Sequence, residues 1–99
     1  MGLLMRIDFH PAATAELEDS AGWYAERSEV AARGFAIAVD AALKKISHDP
    51  KRFPRIDSRH RSCGLERYPF QVVFRDDGAR IFVVAVAHAA RRPGYWRRR

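Results

Sequence analysis

Ninety-nine residues bound a single domain with one modest core, and 18 Lys+Arg against 12 Asp+Glu leave a net charge of +6. One cysteine excludes an intrachain disulfide and fits a reducing cytoplasm, and no apolar run approaches the ~20 residues of a membrane span. The charge is lopsided: residues 1–50 hold 5 basic and 8 acidic side chains, net −3, while residues 51–99 hold 13 and 4, net +9. An excess confined to one half points to an acidic protein or a nucleic acid as partner.

Met1 to Met5 carries neither the long apolar region nor the small-residue cleavage site of a secretory leader, so none is expected. Arg6 to Phe9 is a short strand candidate. His10-Pro11 marks a helix start, because proline fits the first helical position. Ala13, Leu17, Ala21 and Tyr24 then recur at helical spacing to about Arg27, with Glu16, Glu18 and Asp19 on the other faces, where they complement the helix dipole. Trp23 falls off this stripe; it either packs on the next helix, the favoured reading, or faces a partner. Ser28 can cap a second helix carrying Phe35, Ala38, Val39, Ala42 and Ile46 on one face. Asp49-Pro50 ends it. So short a link predicts an antiparallel helical hairpin.

Lys51 to Arg59 is a basic connector that Phe53 and Ile56 are expected to anchor. His60 to Glu66 reads as an edge strand. Phe70 to Arg75 alternates with period two, and Asp77-Gly78 is a hairpin signal joining it to Arg80–His88. Ile81 to Val86 is apolar on both faces, as a buried central strand would be. A basic, aromatic tail follows over about residues 89–99. The expected fold is α+β, in the order β-α-α-β-β-β. A helical hairpin covers one face of a small, mainly antiparallel sheet of three to four strands, and the other face is partly open.

Several blocks together resemble toxins of the RelE/ParE superfamily of type II toxin–antitoxin systems. They are Phe9-His10-Pro11-Ala12-Ala13 with Glu16-Leu17; Trp23-Tyr24; Phe35 to Ile46 and Pro50; Arg67-Tyr68-Pro69-Phe70-Gln71-Val72-Val73-Phe74; and Ala85-Val86-Ala87-His88 followed by Arg91, Pro93, Tyr95 and Trp96. The last block resembles the ParE-like, plasmid-stabilisation branch. The resemblance covers nearly the whole chain. It implies a cognate acidic antitoxin that wraps the toxin in a hetero-oligomer. It also implies either poisoning of DNA gyrase by protein contact, as in ParE-like members, or ribosome-dependent cleavage of mRNA, as in RelE-like ones. A non-toxic remnant that binds its antitoxin and helps repress the operon is the third possibility.

The two activities need different residues. An endoribonuclease needs proton transfer and positive charge around a phosphate. His88 with Arg61, Arg91 and Tyr95 is the candidate catalytic set; the bland alternative for His88 is a strand-end histidine with a local hydrogen bond. A gyrase poison needs a surface rather than catalysis, and Arg67, Arg80, Arg91, Arg92, Tyr95, Trp96 and Arg97 are the candidate target- and antitoxin-binding residues, since interfaces favour Trp, Tyr and Arg. Alternatively Tyr95 and Trp96 fold back over the sheet. The histidines and Cys63 lack metal-ligand spacing, and no cofactor motif is present, so neither metal nor cofactor is expected.

Overall fold

The computed structural model describes residues 4–99; the reading of Met1 to Met5 lies largely outside the described residues. Strand β1 (Arg6–Phe9) leads into helix α1 (Pro11–Arg27), and α2 (Glu29–His48) follows after one residue. A short 3-10 turn, Pro50–Arg52, opens the connector to β2 (Arg61–Gly64), β3 (Phe70–Asp76) and β4 (Arg80–His88).

Local chemistry sets each boundary. The His10 side chain caps α1 by accepting from the Ala12 N–H at 3.0 Å, with Pro11 in the first turn. Ser28 serves both helices: its N–H bonds the Tyr24 carbonyl, closing α1, and its hydroxyl accepts from the Ala31 N–H, opening α2. At the β3–β4 hairpin Gly78 adopts φ +88°, the left-handed region that glycine tolerates.

The sheet runs β1-β4-β3-β2. The β2–β3 and β3–β4 pairs are antiparallel, whereas β1 lies parallel to β4, with Arg6 opposite Arg80 and Phe9 opposite Val83. The sheet is therefore mixed, and the helices and strands between β1 and β4 supply the crossover that a parallel pair needs. Val73 faces Ala85 while Phe74 faces Val83, so Val84 is the extra residue of a β-bulge. The bulge breaks the period-two alternation. Ile81, Val83 and Val86 face the helices with Phe35, Val39, Ala42 and Ile46, while Val84, Ala85 and Ala87 face the other way with Val73.

That second face is closed, not open. Trp96 packs on it at 4% exposure, and Tyr95 and Phe82 lie beside it. Trp23, expected to pack on α2, is 52% exposed and instead meets the Tyr24 ring edge-on, with the Arg27 guanidinium 3.7 Å from its ring centre. Phe53 anchors the connector edge-on to Phe74, whereas Ile56, at 38% exposure, lies outside the core clusters and is held by its N–H to the His60 carbonyl.

Tyr68 pins the β2–β3 loop to the helices. Its hydroxyl donates to the Ala31 carbonyl at 2.9 Å, and its ring packs against Tyr24 and Phe35. Gly34 permits this, because a Cβ there would collide with the Tyr68 hydroxyl. Gly34→Ala should destabilise the protein by about 1–2 kcal/mol, the cost of overpacking outweighing the helix-propensity gain. In a Tyr68→Phe background the same change should be neutral or stabilising by up to about 1 kcal/mol. Denaturant midpoints of the four proteins measure this; an equal effect in both backgrounds would refute the contact.

Candidate functional site

Several contacts of the tail after β4 converge on one carboxylate, that of Glu16. β1 is four residues long and stops pairing at Val83, so the remaining edge of β4 has no strand partner on that side. Glu16 of α1 fills the gap. Its Oε1 accepts from the Val86 N–H at 3.0 Å and from the Arg99 guanidinium at 2.9 Å, and its Oε2 accepts from the Tyr95 hydroxyl at 2.7 Å. Arg99 also donates to the Val84 carbonyl at 3.0 Å. The guanidinium carbons of Arg91 and Arg99 lie 4.0 and 5.1 Å from the Tyr95 ring centre.

The far side of the tail is held as well. The Trp96 and His60 rings meet edge-to-face at 4.8 Å. His60 Nδ1 bonds the Asp57 carboxylate at 2.9 Å, which also pairs with Arg97 at 3.6 Å. Burial pushes the Asp57 carboxyl up, but hydrogen bonds from the Arg59 N–H, the His60 ring and the His60 N–H outweigh it and leave the group below its ordinary value. Gly94, at φ +82°, makes the turn that brings Trp96 back over the sheet.

The candidate catalytic residues do not converge. His88 pairs with Phe70 across β3, whereas Arg61 pairs with Phe74. Four residues separate these positions, about 13 Å along the strands. Arg61 donates to the Phe53 carbonyl at 2.7 Å and so fastens the connector. His88 Nδ1 accepts from the Ala90 N–H at 2.9 Å, a local cap. Tyr95 and Arg91 lie together at Glu16, with the phenol already donating to the carboxylate.

The candidate binding residues divide likewise. Arg80, at the start of β4, pairs with Asp8 at 2.7 Å and Asp77 at 3.3 Å. The hydrogen bond from Arg80 holds the Asp8 carboxyl below its ordinary value. Arg67 is exposed in the β2–β3 loop at φ +67°. Arg91, Arg92 and Arg97 are exposed along the tail, and Trp96 is buried beneath it. At the His88 end of β4 lies a mainly apolar groove of about 550 Å³ lined by Asp19, Ser20, Trp23, Tyr24, Pro69, Phe70 and His88. Sequence reasoning missed Glu16 and His60. Glu16 was legible only as a residue flanking the Ala13–Leu17 stripe, and nothing near His60 announced its burial. Among the described residues no three of His, Cys, Asp and Glu cluster as metal ligands would, and no helix is long and apolar enough to cross a membrane.

A family model for the ParE toxin of the type II toxin–antitoxin system parDE matches residues 7–93. The chain belongs to the ParE toxin family. Among solved structures, a chain of the chromosomal ParDE toxin–antitoxin system from P. aeruginosa is similar in fold, with a TM-score of 0.72 and 21% sequence identity over 86% of this chain and 96% of that one. Curated proteins offer no sequence match. In this ParE-family chain the two helices and the mixed four-stranded sheet are the shared frame, and the Glu16-bound tail is laid across it.

Tyr95 gives this arrangement a pH signature. Burial, then the hydrogen bond to Glu16 and its charge, push the phenol up to about 12. An unfolded tyrosine ionises near ~10. The raised value stabilises the fold in full below about 10, and that contribution is lost as pH rises from about 10 to about 12. Tyr95→Phe should therefore cost about 1.5–3 kcal/mol at pH 8, the range for a hydrogen bond to a charged group. The difference from wild type should shrink through pH 10–12 in denaturant melts; a constant difference would contradict the assignment.

Proposed function

We propose that this chain is the toxic partner of a type II pair, neutralised by a cognate acidic antitoxin, and that it acts on DNA gyrase by protein contact. Gyrase is the target that the ParE-like resemblance implies. The observation that favours contact over catalysis is the separation of His88 from Arg61, with Tyr95 tied to Glu16. A ribonuclease needs its acid, base and phosphate clamps around one atom; a poison needs only a surface.

The surface best suited to this is the groove of Trp23, Tyr24 and Phe70 together with the exposed Arg91 and Arg92, which follow the groove residue His88 in the chain. An apolar centre beside exposed arginines is the usual composition of an interface hot spot. Trp23 supports the reading, since it is half-exposed within an apolar groove and Trp is enriched at interface hot spots. The acidic antitoxin is complementary to Arg91 and Arg92 and to the basic edge of the sheet, so it blocks the target by occupying that surface.

Purified toxin should inhibit gyrase supercoiling or trap cleaved DNA. Trp23→Ala combined with Arg91→Glu should weaken inhibition at least ~10-fold, as loss of an interface hot spot does. Adding the antitoxin should restore supercoiling, less completely as salt rises. No effect of saturating, folded toxin on gyrase would refute the target.

A further inference from the structure

At the opposite end of the sheet from the groove, the connector and the β3–β4 hairpin enclose a pocket of about 390 Å³. Five cations line it: Lys51, Arg55, Arg59, Arg61 and Arg75. Among the described residues none of the five forms a salt bridge. The two acids on the wall are engaged elsewhere. Asp77 accepts from the Ala79 and Arg80 N–H groups and pairs with the Arg80 side chain, and Asp76 accepts from the Gly78 N–H. Burial first, and then Arg59 and Arg80, hold the Arg75 guanidinium below its ordinary value against the opposing charge of Asp77, and the guanidinium donates to the Arg99 main-chain oxygen at 2.9 Å.

His60 adds a second, independent feature. It lines the pocket at 2% exposure, and its Nε2 has no hydrogen-bond partner. A buried polar atom left unpaired costs stability. Asp57 braces the ring at Nδ1, so the ring is a fixed part of the pocket's floor.

We infer that this pocket is a docking site for the phosphate backbone of double-stranded nucleic acid, with Lys51, Arg55 and Arg59 as outer contacts, Arg61 and Arg75 behind them, and the buried His60 ring as structural support beneath. Four of the five cations are arginines, whose planar forks match phosphate oxygens. Exposed apolar side chains do not line the pocket, so an acidic peptide would find no anchor for its apolar residues. The one aromatic ring there, His60, is covered and offers no face on which an unpaired base could stack. What remains is contact with phosphates, without base readout. The pocket is distinct from the groove, and the inference does not depend on gyrase.

Fluorescence anisotropy of the full chain with a labelled 20-base-pair duplex tests it. Binding should be non-specific, with Kd on the order of 10⁻⁶ to 10⁻⁴ M near physiological salt, and log K should fall linearly with log salt. Lys51→Gln with Arg59→Gln, both at exposed positions, should weaken binding about 10-fold and flatten the salt slope by roughly 2. Arg33→Gln, exposed on α2, should stay within about twofold of wild type. An unchanged slope in the double variant would overturn the site. So would polyglutamate displacing a labelled duplex more readily than unlabelled duplex of equal charge, which would assign the pocket to an acidic protein.

Discussion

A strand paired along only part of one edge is the constraint on which this protein turns. β4 is the longest strand and is inserted between β1 and β3, yet β1 accompanies it only from Arg80 to Val83. Beyond Val83 the backbone groups of a buried strand still need partners. No further strand supplies them. Glu16 takes the Val86 N–H, and Arg99 takes the Val84 carbonyl while pairing with Glu16. The bulge at Val84 places both groups on this edge. One helix residue and one tail residue thus complete the sheet, and the tail becomes part of the fold because β4 needs it.

The charge pattern changes meaning as a result. In the sequence, the arginines of the second half form one undifferentiated excess. In three dimensions they separate by environment. Arg61, Arg80 and Arg99 bond carbonyls or carboxylates and hold the connector, the hairpin and the tail. Arg91 and Arg92 are exposed just after His88, which lines an apolar groove. Lys51, Arg55 and Arg59 crowd a polar pocket at the other end. Exposed ion pairs contribute little to stability, typically under ~1 kcal/mol, so the exposed cations add little as fasteners.

The elements were legible where their causes are local. Helical spacing from Ala13 to Tyr24 and from Phe35 to Ile46, caps at His10 and Ser28, and the glycine turn at Gly78 all act within a few residues. So did the apolar run of β4. What escaped depends on contacts distant in sequence. The return of Trp96 onto the sheet requires Val73, Val84 and His60, and it turned a candidate surface residue into core. Glu16 looked like its neighbours Glu18 and Asp19 because only its place opposite the bare edge of β4 distinguishes it. The bulge itself has no signature in a run of Val and Ala. Trp23 was the opposite failure: its position off the stripe was visible, but size and apolarity argued for packing, and the groove that it lines exists only once Phe70 and His88 arrive.

The claim that Glu16 holds the tail over the sheet is tested most directly through Trp96. In a Trp23→Phe background Trp96 is the one tryptophan, so its emission reports the tail alone. With Glu16 intact, emission should be blue-shifted and shielded from acrylamide. With Glu16→Gln, loss of the charge that pairs with Arg99 and accepts from Tyr95 should shift emission to the red and raise the quenching constant while far-UV dichroism is retained. Equal shielding in the two proteins would contradict the account.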